Sequence, residues 1–243
     1  MVQQSSKLGF ALVHGAAHGG WCWDAVVPLL DGPAVAVDLP GRGARPVPPE
    51  DVTLASFGDA VLADVADAGF DRVVLVGHSL GGITLARLAE VAPDRIAHLV
   101  FVSCSIPEDG SSVVDELPEE IQPFLRDAAE ASPAAPPPED WGDTLCNDMT
   151  ADQRDHVLAR LVAEPWGPMF EPVSLAGFGR GIPSTWVRLG QDLVATPEDQ
   201  DRRRVRAGVD HVVELDAGHD VMVSRPDALA EVLNAAFASA QRR

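Results

Sequence analysis

Short apolar runs alternate with longer segments of helical periodicity along most of the chain. We predict six strands, near residues 10–14, 34–38, 73–77, 99–103, 185–189 and 211–215. Amphipathic helices are predicted between them, near residues 23–30, 54–68, 80–92, 198–207 and 226–240. Strands and helices that alternate in this way form parallel βαβ units, whose right-handed crossovers cover both faces of one sheet. The pattern predicts an α/β fold in which the carboxyl ends of the strands share one edge, where sites in such sheets form.

The alternation is interrupted between residues 106 and 183. Two helices are predicted there, near 114–131 and 151–163, separated by a proline-rich stretch that favours extended backbone. We interpret residues 106–183 as a helical cap inserted over the strand ends, with 1–105 and 184–243 as the core. Five apolar cap residues could line a substrate pocket together with His18, or could pack the cap on itself: Trp141, Met149, Trp166, Met169 and Phe170.

Composition limits the partners of the chain. Its 243 residues are 46% hydrophobic, which is enough for one substantial core. There are 37 acidic and 18 basic residues, and this net charge of -19 argues against nucleic acid or an anionic membrane as a partner. The basic cluster at 202–206 follows Thr196, Pro197 and acidic residues, which is typical of a surface helix matched to its dipole. We expect a small-molecule substrate and a monomer or homodimer.

Cysteine usage and hydropathy bear on cofactors and compartment. Cys22, Cys104 and Cys146 are odd in number and lack zinc-type spacing, so neither a disulfide framework nor a metal site is predicted, and no cofactor is implied. Residues 1–7 lack a charged segment followed by an apolar one, and no run approaches the roughly 18 apolar residues of a membrane span. We expect a cytoplasmic protein.

The strongest chemical signal is the hexapeptide Gly-His-Ser-Leu-Gly-Gly at residues 77–82, directly after the apolar run 73–76. A G-x-S-x-G pattern between a strand and a helix predicts a sharp turn that lifts the serine hydroxyl above the sheet edge. Its glycines let the chain turn where no larger residue fits. Ser79 is therefore the predicted nucleophile, and His78 is expected to point elsewhere. The alternative is a glycine-rich turn with an idle serine.

A nucleophilic serine needs a base, and position selects one of the histidines. His219 follows the last predicted strand, and a neutral imidazole can accept the serine proton at cellular pH. The second N–H of the imidazole needs an acceptor, and Asp192, after the fifth predicted strand, gives the chain order Ser, Asp, His of α/β-hydrolases. Asp216 and Asp220 flank the histidine but would have to fold back on it.

Two N–H donors are needed for the oxyanion of a tetrahedral intermediate. The turn supplies one, the backbone N–H of Leu80, at the start of a helix. The second is expected from the loop after the first strand, His-Gly-Ala-Ala-His-Gly-Gly-Trp at residues 14–21, whose small residues let the main chain approach a carbonyl group. We predict that the N–H of Ala16 is this donor, with an ordinary glycine-rich turn as the alternative.

Three stretches of the chain, residues 12–21, 37–43 and 77–79, resemble the plant methylesterase and hydroxynitrile lyase group of α/β-hydrolases and its bacterial esterase relatives. The segments around Asp192 and His219 are similar to the acid and base segments of that group, whereas the cap matches loosely. The resemblance implies an α/β-hydrolase fold and the hydrolysis of a metabolite ester.

Three positions separate the esterases of that group from the lyases. The lyases carry Thr where this chain has Gly15, an acidic or altered residue where it has His78, and Lys where it has Asp220. The lyase lysine stabilises departing cyanide, and a negative charge in its place would oppose this step. The resemblance therefore implies an esterase.

These features predict a serine hydrolase that cleaves a small-molecule carboxylic ester through an acyl-enzyme. A thioesterase, a lactonase, an acyltransferase, or a lyase or cyclase acting on a metabolite remains an alternative, because neither the fold nor the triad fixes the substrate. A ligand-binding protein that performs little chemistry is a further alternative.

Overall fold

A single parallel sheet organises the protein. The computed structural model describes residues 7–243, so most of the stretch considered for a leader peptide lies outside the described residues. The main sheet has the strand order β2-β1-β3-β4-β7-β8, and every neighbouring pair is parallel. Its strands are β1 (Leu8–Val13), β2 (Ala34–Val37), β3 (Arg72–His78), β4 (Ile96–Val102), β7 (Ser184–Leu189) and β8 (Val212–Leu215). The six predicted strands and the α/β fold class are thereby confirmed.

Helices cover both faces of this sheet. Those of the described residues are α1 (Leu54–Asp67), α2 (Gly81–Val91), α3 (Gln122–Ala131), α4 (Trp141–Thr144), α5 (Ala151–Leu158), α6 (Gly167–Phe170), α7 (Pro197–Arg206), α8 (Val221–Ser224) and α9 (Pro226–Gln241). Four of them, α1, α2, α7 and α9, agree with the predicted helices to within one residue at each end. None of the helices described is long and apolar enough to cross a membrane.

Three predicted helices are wrong in extent. In place of the predicted helix 23–30 there are two 3-10 turns, Gly20–Trp23 and Val27–Leu29, because Pro28 lacks the N–H that a longer helix would need there. Pro118 likewise divides the predicted helix 114–131 into a 3-10 turn and α3. The predicted helix 151–163 ends at Leu158, and the chain after it is extended, with the Val162 N–H donating to the carbonyl of Ala17 at 2.9 Å.

The residues between β4 and β7 add no strand to the main sheet in the described chain. They contain α3 to α6 and a small antiparallel pair, β5 (Ala134–Ala135) and β6 (Glu164–Pro165), which periodicity did not predict. We call residues 106–183 the insertion. Its division from the core as a cap remains a prediction.

The sheet is buried on both faces, as parallel sheets are. Along β1, Phe10 and Leu12 contact one apolar cluster while Ala11 and Val13 contact the other, since successive side chains point to opposite faces. Burial of a large apolar side chain contributes about 1.5–3 kcal/mol, so these clusters fix the register of the sheet. All six strands run in the same direction, and their carboxyl ends therefore meet at one edge.

Candidate active site

The serine turn lies between β3 and α2. Ser79 has a φ of 51°, in the left-handed region that non-glycine residues rarely adopt. Its N–H donates to the carbonyl of Val102 at 3.1 Å, and its carbonyl accepts the N–H of Ser105 at 2.8 Å. These bonds to the end of β4 and the chain after it hold the residue in its strained conformation.

Close packing explains the glycines of this turn. A Cβ atom at Gly82 would lie 2.5 Å from the carbonyl oxygen of Ser105, and one at Gly77 would lie 2.6 Å from a methyl of Leu85. A Cβ at Gly15, in the loop after β1, would lie 2.8 Å from the Cβ of Ser79. The serine turn and this loop are therefore in direct contact, and the space between them is too small for a side chain at position 15.

His219 and Asp192 form a buried hydrogen-bonded pair at the same edge. His219 Nδ1 lies 2.8 Å from Asp192 Oδ2. The Asp192 carboxylate also accepts the Ser103 hydroxyl at 2.6 Å and the N–H groups of Val194 and Ala195 at 2.8 and 2.9 Å. Burial raises the pKa of Asp192, but the charge and hydrogen bond of His219, with the other donors, outweigh it and lower the pKa to about 2. The carboxylate is thus ionised and fully bonded.

Ser103 is a site residue that the sequence did not single out. It follows β4 directly and has a φ of 43°. Its only sequence signal is its position at the carboxyl end of a central strand, where site residues collect in such sheets.

The two predicted oxyanion donors face one cavity. Ala16 and Leu80 both line it, beside Ser79 and His219. Neither the Ala16 N–H nor the Leu80 N–H donates a hydrogen bond to any group in residues 7–243. Both donors are therefore free for a ligand.

A second histidine–carboxylate pair lies behind the first. The His18 Nε2 atom is 2.9 Å from Asp220 Oδ2, and both side chains are buried. Asp220 thus contacts a histidine other than His219, to which it is adjacent in sequence. The ring of His78, expected to point elsewhere, instead packs against that of His219, with centroids 4.7 Å apart.

His78 is neutral in this environment. Burial, followed by the charge of His219, lowers the pKa of His78 to about 3. Its Nε2–H donates to the main-chain carbonyl of His219 at 3.0 Å, because a carbonyl can only accept. Potential ligand atoms of His78, His219 and Asp220 all lie within 4.8 Å of one another. Each of the three side chains already has a hydrogen-bond partner outside this trio of side chains: the main-chain carbonyl of His219 for His78, Asp192 for His219 and His18 for Asp220.

The cavity above Ser79 has two adjoining parts of about 170 and 140 Å³. His18 and Trp141, both predicted pocket residues, line the smaller part, as does Met169. The other three predicted pocket residues lie outside the cavity walls. Met149 packs in a small cluster with Leu145, Cys146 and Val157. Trp166 and Phe170 contact each other, with ring centroids 5.9 Å apart.

The cysteines are not alternative nucleophiles. Cys22, Cys104 and Cys146 are free and buried. Burial raises the pKa of each thiol, that of Cys146 to about 11. Since the thiolate is the reactive form, all three are inert at neutral pH.

Comparison with known proteins gives matches over nearly the whole chain. Residues 10–232 match the model of the alpha/beta hydrolase family. The chain is 32% identical to a carbendazim hydrolyzing esterase of Nocardioides sp. (strain SG-4G), over 93% of this chain and 98% of that relative. It is 31% identical to Methylesterase 3 of Arabidopsis thaliana, over 96% and 97% of the two chains. An extracellular alpha/beta-hydrolase from a Paenibacillus species superposes with a TM-score of 0.84 at 24% identity, covering 94% of this chain and 98% of that one, and shares the fold.

Proposed function

The chain belongs to the alpha/beta hydrolase family and is a carboxylic ester hydrolase, and from this premise we propose that it cleaves small-molecule esters through a Ser79–His219–Asp192 triad. The observation that carries the proposal is the 2.8 Å bond between His219 and Asp192 beside the cavity that both Ser79 and His219 line. A buried carboxylate that accepts the Nδ1–H leaves Nε2 unprotonated, which is the tautomer that a general base needs.

The proposed reaction has two halves. The Ser79 hydroxyl attacks the ester carbonyl and transfers its proton to His219, forming a tetrahedral oxyanion. The oxyanion collapses, the C–O bond to the alcohol breaks, and His219 returns the proton to the leaving alcohol. Water then attacks the acyl-enzyme with His219 again as base, which releases the acid and restores Ser79. Asp192 orients the imidazole throughout and stabilises the imidazolium.

The N–H groups of Ala16 and Leu80 are the proposed oxyanion donors. Two features support this role: both lack a partner within the described residues, and both lie at the cavity that contains Ser79. Removal of one such donor costs roughly 10²–10³-fold in turnover in a well-studied serine protease.

Cavity size and the names of relatives support a small substrate. The cavity parts of about 170 and 140 Å³ leave room for a short acyl chain and a short alcohol. Because one relative is named a methylesterase, we propose methyl and other short-alcohol esters as the substrate class. Asp220, which occupies the position of the lyase lysine, is buried against His18, and this supports hydrolysis rather than cyanide release.

The remaining expectations stay proposals that rest on composition. A net charge of -19 supports a small-molecule substrate over a nucleic acid, and three free cysteines support the cytoplasm. A monomer or a homodimer is compatible with both.

Reaction with a fluorophosphonate serine probe, read by intact mass, tests the proposal. Wild type should gain one probe adduct, whereas Ser79→Ala and His219→Ala should gain none. Ser132→Ala, which removes an exposed serine in the insertion, should label like wild type. Labelling of Ser79→Ala at the wild-type rate would disprove the nucleophile, and an unlabelled wild type would disprove an assembled triad.

A further inference from the structure

The two peptide groups on either side of Ala16 are each held by a histidine of the loop after β1. His14 Nδ1 lies 2.8 Å from the carbonyl oxygen of Gly15, in the peptide group that also contains the Ala16 N–H. His18 Nδ1 lies 2.7 Å from the carbonyl oxygen of Ala16, in the peptide group that joins Ala16 to Ala17. The orientation of the Ala16 N–H therefore depends directly on His14, and on His18 through the backbone conformation of Ala16.

The two histidines carry different charges. His14 Nε2 accepts the N–H of Leu39 at 3.2 Å, so its ring has one donor and one acceptor and is neutral. Both partners of His18, the carbonyl of Ala16 and the carboxylate of Asp220, can only accept. Both nitrogens of His18 must therefore donate, which makes this ring a buried imidazolium.

The surroundings of His18 favour this charge. Burial lowers its pKa, but the charge and hydrogen bond of Asp220, the Ala16 carbonyl and the charge of Glu164 together raise it. The indole of Trp21 is stacked on the ring, with centroids 5.3 Å apart, and an aromatic face attracts a cation.

An anion holds the other end of the same peptide group. The Ala17 N–H donates to Glu164 Oε2 at 2.6 Å, and Glu164 is in turn paired with the buried guanidinium of Arg42. The carbonyl of Ala17 accepts the Val162 N–H, so the insertion contacts both main-chain polar groups of this residue.

These contacts oppose a backbone strain. Ala17 has a φ of 59°, which costs an alanine roughly 1–2 kcal/mol relative to the right-handed region. Rotation of the peptide group between Ala16 and Ala17 would relieve this strain and change the conformation of Ala16. The cation at its carbonyl and the anion at its N–H prevent that rotation.

We propose that His18 and Glu164 are positioning residues for the oxyanion hole, which hold the Ala16–Ala17 peptide group between a buried imidazolium and a buried carboxylate so that the Ala16 N–H faces the substrate. Neither side chain takes part in proton transfer. The inference rests on the proposed function, since it assigns these residues to the oxyanion of that reaction.

A matched pair of ketones separates oxyanion stabilisation from general binding. A nucleophilic serine adds to the activated carbonyl of 1,1,1-trifluoro-4-phenylbutan-2-one, which places an oxyanion in the site. The plain ketone 4-phenylbutan-2-one binds without this addition and stays neutral. In Glu164→Gln and His18→Leu we expect inhibition by the fluorinated ketone to weaken roughly 10–100-fold, the size expected for misplacement of a catalytic group. In Glu164→Gln, whose side chain does not line the cavity, inhibition by the plain ketone should change less than about twofold, and kcat on a short ester should fall while KM changes little.

Conservative variants provide the controls. His18→Asn keeps an N–H donor near the Nδ1 position and should recover part of the kcat lost in His18→Leu. Glu171→Gln alters a carboxylate that accepts the N–H of Leu54 at 2.8 Å, away from the cavity, and should leave both ketones unaffected. Equal weakening of the two ketones, or no weakening of the fluorinated one, would overturn the proposal.

Two further measurements separate this proposal from the triad on which it rests. The ¹⁵N NMR signals of wild-type His18 should show both ring nitrogens protonated at neutral pH, and one unprotonated nitrogen would overturn the imidazolium whatever the activity. Ser79→Ala should lose affinity for the fluorinated ketone. If it does not, or if wild type binds neither ketone, the proposed nucleophilic mechanism fails and this inference fails with it.

Discussion

The serine turn and the loop after β1 meet at one cavity, but different forces hold them. The turn is fixed by close packing and by bonds between neutral main-chain groups: a Cβ atom at Gly82 would lie 2.5 Å from a main-chain oxygen, and Ser79 is hydrogen-bonded to Val102 and Ser105. The loop is fixed by hydrogen bonds to buried charged groups, among them Glu164, which is 147 residues from Ala17 in the chain. Packing and main-chain bonds thus position Ser79, whereas distant charges determine the conformation of the loop after β1.

Loss of one buried charge beside the loop after β1 should cause the largest decrease in the free energy of unfolding. Arg42→Met leaves Glu164 buried without its partner, and removal of one member of a buried ion pair costs about 3–5 kcal/mol. We expect a loss of unfolding free energy of that size in urea titration. Addition of Glu164→Gln should restore part of it, because the uncompensated charge is then gone. A cost below about 1 kcal/mol for Arg42→Met would contradict the importance of the pair.

Addition of one methyl group at Gly82 should disrupt the packing of the serine turn. Gly82→Ala forces the carbonyl of Ser105 or the start of α2 to shift, and overpacking of this kind costs about 1–3 kcal/mol. Esterase activity should fall further than stability, because the shift moves Ser79. Gly179→Ala is the matched control, since its Cβ would meet no atom within 4 Å, and its melting temperature and activity should stay at wild-type values or slightly above. Wild-type activity in Gly82→Ala would show that the turn tolerates the shift.

The smallest expected change in stability is that of Ser103→Ala, and its dependence on pH tests the bond between Ser103 and Asp192. The pKa of Asp192 is about 2 in the folded protein, against an ordinary value of 3.8, so the ionised carboxylate stabilises the fold above about pH 4 and this contribution is lost as the pH falls towards 2. Ser103→Ala removes one donor and raises that pKa. The variant should be about 0.5–1.5 kcal/mol less stable at neutral pH and should lose less stability than wild type on acidification.

Urea unfolding at several pH values from about 7 to about 2 measures this difference. The curves of unfolding free energy against pH should converge towards the acid end. Parallel curves would mean that the Ser103 hydroxyl does not affect the ionisation of Asp192. Ser132→Ala, which removes a hydroxyl that donates to the main-chain carbonyl of Ala134 at 3.0 Å rather than to a carboxylate, should give a curve parallel to that of wild type.

The same division explains what could be predicted from the sequence. Ser79 and its glycines are consecutive in the chain, and the conformation of a turn depends on neighbouring residues. The pattern of residues 77–82 is therefore enough to predict the turn. The strands and the long helices were predicted for the same reason. Asp192 and His219 follow from chain order and from strand ends that meet at one edge.

The supporting contacts could not be found in this way. Asp220 pairs with His18 across 202 positions, and no periodicity links residues so far apart. The side chains of the insertion are the least predictable. Met149, Trp166 and Phe170 are large apolar residues of the kind that line pockets, but they pack away from the cavity. Arg42 lies in the stretch 37–43, which resembles the methylesterase group, but its partner Glu164 lies in the insertion, where the resemblance is loose.

The burial of Glu164 restricts how a substrate can reach Ser79. An insertion that lifted away as one rigid piece would have to separate Glu164 from both Arg42 and Ala17, and would leave two buried charges apart. Elsewhere in the insertion, α3 has no buried residue, and its Phe124 is 80% exposed. Leu117 and Val194 line the larger part of the cavity, and an ester that entered past them would break none of the contacts that hold the loop after β1.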